Sequence, residues 1–261
     1  EEYTRAIQSH DWLLICNQRR KHREKIQMQA SNTAVALFII GSFMPTLAQS
    51  QTQALQVVHI NTSDTAQYLE WAEESMPIIS THQLSTNGGV CVPSFGAEEE
   101  GDLYVYTFSA DFESSLANDL NSGVPAREIA KIAPHRTIKS RDLWSTVRRT
   151  TNLNIEVGDT YSMLQTVAST SQPDMYLAQI GALEAGMREA GHSDVHFVAS
   201  QVMTGKFRNS LNVRLIAPTP ERLGAAMDTI TTATWARKLL SDLSSIRTVG
   251  QQMTTNCHRF Y

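Results

Sequence analysis

Leu211-Asn212-Val213-Arg214-Leu215-Ile216 lies 108 residues after Leu103-Tyr104-Val105-Tyr106-Thr107-Phe108, and this pair of stretches decides the fold. Both have the two-residue period of a strand, whose successive side chains point to opposite faces of a sheet. One face carries Leu103, Val105 and Thr107 against Leu211, Val213 and Leu215. The other carries Tyr104, Tyr106 and Phe108 against Asn212, Arg214 and Ile216. The first set is ordinary packing for a covering helix. The second is too aromatic and apolar to face water, so it needs a second sheet opposite it, with Arg214 near the tyrosines as a cation–π partner.

The same offset aligns Thr62-Ser63 with Thr170-Ser171, Tyr68-Leu69 with Tyr176-Leu177, and Ser85 with Ser193. It also aligns Glu113 and Ala117 with Glu221 and Ala225, and Ile138-Lys139 with Ile246-Arg247. A period this long marks a duplicated unit rather than a solenoid.

Each copy reads strand, helix, strand, strand, helix, strand. In the second, Met163–Ala168 is a strand, Ser171 a helix cap and Pro173 a first-turn residue. Tyr176, Ile180, Leu183 and Met187 then recur on one face until Gly191 stops the helix. Val195–Val202 and Leu211–Ile216 pair around Thr204-Gly205-Lys206. Thr219-Pro220-Glu221 opens a helix that turns Leu223, Met227 and Ile230 inward, and Ile246–Met253 is the last strand. The first copy has a strand at Leu55–Ile60 and a helix capped by Ser63 or Asp64 running to Ile79. Asp102–Phe108 is a strand, Phe112–Leu120 a helix, Pro125 begins a further helical turn, and Thr137–Val147 closes the copy.

This order gives an α+β protein of two ferredoxin-like β-α-β-β-α-β repeats, residues 49–150 and 151–261, packed sheet to sheet as an intrachain pseudo-dimeric barrel. Over residues 53–261 the pattern resembles the dimeric α+β barrel superfamily, of the antibiotic-biosynthesis-monooxygenase-like and stress-responsive types, fused in tandem. The resemblance rests on element order and duplication. It implies the fold; member activities range over cofactor-free oxygenases, haem enzymes, isomerases and proteins without assigned activity, so no catalytic residue follows from it.

Residues 1–48 read as an extension and address. The basic run Arg19-Arg20-Lys21-His22-Arg23-Glu24-Lys25 precedes the apolar stretch 34–44 and then Pro45-Thr46-Leu47-Ala48. That is the order of a secretory signal cleaved after Ala48, and the apolar run is about half the roughly 20 residues a membrane span needs. The expected product is periplasmic or extracellular, with no stable membrane span. Cys16 leaves with the signal, and Cys91 and Cys257 remain as an even pair, either two free thiols or one disulfide.

The 261-residue chain has 22 basic against 26 acidic side chains and 41% hydrophobic residues, a soluble composition without the basic excess of a nucleic-acid binder. It holds no phosphate loop, nucleophile elbow, zinc motif or calcium loop, so neither a metal nor a cofactor is assigned. His82, His135, His192 and His196 fall near element ends and read as ordinary loop histidines. Glu98-Glu99-Glu100, between Gly96 and Gly101, reads as a solvated hairpin tip, and Arg148-Arg149 as the start of the linker between copies.

Candidates for a ligand pocket are His59, at a strand end, Tyr68, Tyr104, Tyr106, Trp144 and Arg214. Trp71, Trp235 and Tyr176 serve a pocket or simply pack a core. Three functions follow: a small-molecule-binding or accessory protein, a cofactor-free monooxygenase-like enzyme in which His59 or Tyr106 handles a proton, or a protein-interaction subunit with homo-oligomer formation open. An enclosed pocket with convergent polar groups favours the enzyme, a filled core the structural role. Because His59 answers Val167 and Tyr106 answers Arg214, at most one copy is expected to be active under the enzyme reading.

Overall fold

The computed structural model describes residues 53–149 and 153–261; the signal, its cleavage site and Cys16 lie outside them. Eight strands form one closed antiparallel barrel: β1 (Ala54–Thr62), β2 (Ser85–Phe95), β3 (Asp102–Ser109), β4 (Arg136–Arg148), β5 (Thr160–Thr170), β6 (His196–Val202), β7 (Leu211–Ala217) and β8 (Arg247–Arg259). Around the barrel the order is β1-β3-β2-β8-β5-β7-β6-β4. Six α-helices accompany it: α1 (Thr65–Ser80), α2 (Phe112–Ala117), α3 (Gly123–Ile132), α4 (Pro173–Glu189), α5 (Pro220–Thr232) and α6 (Thr234–Ile246).

Closure answers the edge problem. An open sheet of β4-β1-β3-β2 would leave β2 and β4 with unpaired backbone groups. Here β2 pairs with β8 and β4 with β6, so each half supplies what the other's edges lack. These two pairings close the eight strands into one barrel. At the first seam Cys91 faces Cys257 in the ladder, and the two form a disulfide spanning 166 residues of sequence.

Strand alternation sorts the side chains as the sequence indicates. Leu211, Val213 and Leu215 join Tyr176, Ile180, Leu183 and Met187 under the second half's helices. Leu103 joins Tyr68, Ala72 and Met76 under the first half's. Tyr104, Tyr106, Phe108 and Ile216 turn inward with Leu55, Val57, Trp144 and Val198, making a third core inside the barrel.

Several local expectations need correction. The helix after Asp111 ends at Ala117, not Leu120, because Asn118 leaves helical backbone and accepts the Leu84 N–H. The cap of α4 is Gln172 rather than Ser171, although Pro173 does begin the helix. A second helix, α6, occupies Thr234–Ile246, so the last strand runs Arg247–Arg259 instead of starting at Ile246. The offset of 108 consequently holds through the caps Asp111 and Thr219 and becomes 111 at the strand starts Arg136 and Arg247. Arg148 is a strand residue ion-paired with Glu184, not the start of a linker.

Candidate functional site

The barrel interior is not filled. It holds two chambers that share Val57, Tyr104, Trp144 and Gln165 in their walls, so these four residues form a waist.

One chamber, about 330 Å³, gathers charge. His59 reaches it because β1 alternates Leu55, Val57, His59 inward. The histidine stands in mid-strand, beside a register shift between His59 and Ile60, and not at the strand end expected from sequence. Its Nε2 lies 3.1 Å from Asp102 Oδ1, and its ring stacks on Tyr104 with centroids 4.6 Å apart and planes 14° from parallel. Burial would raise the Asp102 carboxyl, but donation from the Asn61 amide (3.0 Å), the Glu99 N–H (2.8 Å) and His59 outweighs it and holds the group below the usual aspartate range. Asp102 is thus anionic and fixed, the partner an imidazolium needs.

Asp142, inward on β4, has the opposite bias. Burial raises its carboxyl, donation from Ser140 at 3.1 Å only partly offsets this, and Oδ1 has no hydrogen-bond partner. The 203–209 loop presses on it: Gly205, at φ 84°, leaves no room for a side chain because a Cβ there would collide with the carboxylate. The same loop brings Phe207 into the chamber wall and pairs Lys206 with Glu98 at 2.8 Å, while Lys139 pairs with Glu99 at 2.8 Å. The acidic hairpin tip is therefore a partnered rim of this chamber.

The other chamber, about 290 Å³, is aromatic and basic. Tyr104, Tyr106, Phe108, Trp144 and Tyr161 line it together with Arg149, Arg214 and Arg259. Arg214 is 7% exposed, donates to Ser200 Oγ at 2.6 Å, and lies 6.0 Å from the centre of the Trp144 ring. The cation–π partner is thus the tryptophan, not the tyrosines. Burial lowers the guanidinium to about 10, with Tyr161 and Tyr106 acting against that shift. Burial also drives the Tyr106 hydroxyl well up, and it shares a hydrogen bond with Tyr161; Tyr104 is pushed up to about 12 by burial and then by Asp102 and Glu98. Phenols biased this way stay protonated at neutral pH and can donate but not abstract.

Of the six pocket candidates, His59, Tyr104, Tyr106, Trp144 and Arg214 converge on the lumen. Tyr68 does not: it is fully buried on the inner face of α1 and accepts from Arg136. Trp71 donates to the Glu128 carbonyl, and Trp235, on α6, packs its ring against Gly186 of α4; both serve helix packing. His192 is bonded to Thr229 at 2.8 Å and faces away from the lumen's walls. Asp102, Asp142, Tyr161 and Gln165 were missed, although carrying the alternation two residues back from Tyr104 and Trp144 reaches both aspartates. Among the described residues no cluster of three or more His, Cys, Asp or Glu side chains could hold a metal ion, and no helix is long and apolar enough to cross a membrane.

No protein-family model matches the sequence, and no curated protein matches it. Solved structures do share its shape. A protein from Fusobacterium nucleatum described as a candidate monooxygenase superposes with a TM-score of 0.57 at 6% identity, over 81% of this chain and 94% of that one. A second candidate monooxygenase, from Lactobacillus acidophilus, gives 0.51 at 8%, over 80% and 95%. An anthrone oxidase-like protein gives 0.52 at 14%, over 82% and 93%. At such identities the likeness is one of architecture alone.

Proposed function

We propose that the lumen binds a small flat aromatic molecule and that His59 takes a proton from it, as in a cofactor-free monooxygenase-like enzyme. The observation that carries this reading is the His59–Asp102 pair at 3.1 Å, opening on a chamber whose waist is made of Tyr104 and Trp144. Nε2 faces Asp102 at 3.1 Å without hydrogen-bond alignment, so the carboxylate favours the Nε2–H tautomer and leaves Nδ1 to accept a proton. Asp102 stabilises the imidazolium so formed. The C–H or O–H electron pair stays on the substrate as an anion, and dioxygen, small enough to share the lumen, is the oxidant it reduces: one oxygen atom stays on a substrate carbon as a carbonyl and the other leaves as water with two substrate hydrogens. Tyr106, the other residue considered for proton handling, is disfavoured because burial keeps its hydroxyl protonated. The likeness in fold to proteins described as monooxygenases and as anthrone oxidase-like is compatible with this chemistry.

The same proposal takes the chain as two ferredoxin-like repeats doing in one polypeptide what two subunits do elsewhere, supported by the matching strand orders β4-β1-β3-β2 and β8-β5-β7-β6. It takes the protein as exported, with cleavage after Ala48, which suits the disulfide. The test is solvent-deuterium incorporation into a flat enolisable aromatic ketone, read by mass spectrometry. Wild type should catalyse exchange, His59→Gln should lose it, and Asp102→Asn should slow it about tenfold or more. Equal exchange by wild type and His59→Gln would remove His59 from the chemistry.

A further inference from the structure

The lumen is electrically lopsided. Arg149, Arg214 and Arg259 line the aromatic chamber, which has no acidic residue in its wall. The opposite chamber holds Glu98, Glu99, Asp102 and Asp142. Arg259 is engaged with the backbone, donating to the Tyr261 and Ile155 carbonyls. Arg214 is different. Its one hydrogen bond to a side chain goes to a neutral hydroxyl, its Nε–H has no partner, and among the described residues no carboxylate lies within ion-pair distance. The Trp144 indole N–H beside it is likewise buried without a partner.

A guanidinium 93% out of water and lacking a counter-charge is costly, and proteins that bury a charge usually pair it. The missing group has stated properties. It must be anionic, accept from the guanidinium, and belong to something that fits a cavity of about 290 Å³ walled by aromatic rings. A single negative charge fits best, since a dianion would lose more hydration than one buried arginine returns.

We infer that the aromatic chamber takes the carboxylate of an aromatic acid, with Arg214 as its binding residue, so that the ring lies at the waist between Tyr104 and Trp144 and the reacting end points to His59. The charge pattern sets that orientation, because the reverse pose would place a carboxylate beside Asp102 and Asp142. This rests on the proposed lumen site and names its ligand class.

The test uses calorimetric titration of the full chain with 2-naphthoate and with 2-naphthamide, which has nearly the same shape and no charge. The acid should bind at least tenfold tighter than the amide. Arg214→Gln should erase that preference by weakening the acid alone, and Arg214→Lys should retain part of it. Thermal unfolding of the variants reports whether they fold; loss of a buried unpaired cation should leave the melting temperature unchanged or raised. Equal binding of acid and amide by wild type would overturn the carboxylate assignment while leaving the lumen site standing. Binding of neither would count against both. A preference for the acid that survives in a folded Arg214→Gln would move the anion site away from Arg214 and overturn the inference.

Discussion

Arg136 donates to the hydroxyl of Tyr68 at 3.2 Å, and this pairing has a twin in the second half, where Arg247 donates to Tyr176 at 2.9 Å. Both tyrosines are fully buried on the inner face of the first long helix of their half, and both arginines open the last strand. The hydroxyls thus tie helix to sheet in the same way twice. Tyr68→Phe and Tyr176→Phe should each destabilise by about 1–3 kcal/mol, the usual cost of removing one partner of a buried hydrogen bond to a charged group. The pairs share no partner, so the double variant should show the sum. Urea unfolding of the three variants measures this; a double variant no worse than either single would deny the pairs an independent structural role.

The disulfide should matter more than any single hydrogen bond. Cys91 and Cys257 are separated by 166 residues and bridge the seam that joins the halves. Constraining so long a loop in the unfolded chain contributes about 2–5 kcal/mol in the usual range. Cys257→Ser, or reduction, should lower the melting temperature by several degrees and make the β2–β8 seam the first to lose amide protection in hydrogen exchange. Unchanged melting after complete reduction would contradict this.

Two aspartates in one chamber should pull the pH dependence of stability in opposite directions. Asp102 is held below the ordinary range, so its contribution is present above the unfolded pKa and is lost as pH falls through the folded one. Asp142 is raised by burial, so the protonated form suits the fold and stability is lost as pH rises through its folded pKa, above the ordinary aspartate value. Asp142→Asn should therefore melt higher than wild type at neutral pH and converge with it in acid. Asp102→Asn should melt lower at neutral pH and converge in acid. Melting curves from pH 3 to 8 decide both signs.

Much of this arrangement is written in a two-residue period. Once strand β3 is recognised, Tyr104, Tyr106 and Phe108 must share a face, and the copy 108 residues on places Arg214 and Ile216 on the equivalent one. The lumen's aromatic lining follows directly. The two aspartates do not stand out, because an isolated Asp at the start of a strand, such as Asp102, reads as turn chemistry; only the register of the β1–β3 ladder, which sets Tyr104 opposite His59 and Asp102 opposite Asn61, brings it against His59. Tyr68 and Tyr176 illustrate the converse. Their repetition in both copies signals a shared task, and that task is packing, which sequence cannot separate from pocket lining when the residue is a large aromatic on a helix. Helix α6 escaped because Thr234–Ile246 follows α5 after the single residue Ala233, so the pattern of one helix ran into the next.

Export makes a separate expectation. If the apolar stretch 34–44 is a cleaved signal, protein recovered from its native host should begin at Gln49, and intact-mass measurement should find neither Cys16 nor free thiols. A mature chain retaining the basic run 19–25 would exclude cleavage after Ala48.

The central claim is that the barrel lumen is where a ligand sits, and Trp144, in the wall of both chambers, is placed to report it. With Trp12, Trp71 and Trp235 replaced by phenylalanine, Trp144 becomes the sole indole. Its emission, followed while a naphthalene-ring ligand is added, should change saturably, with the same half-point that calorimetry gives. A ligand that binds by calorimetry yet leaves Trp144 emission unmoved would place the site elsewhere and contradict the account.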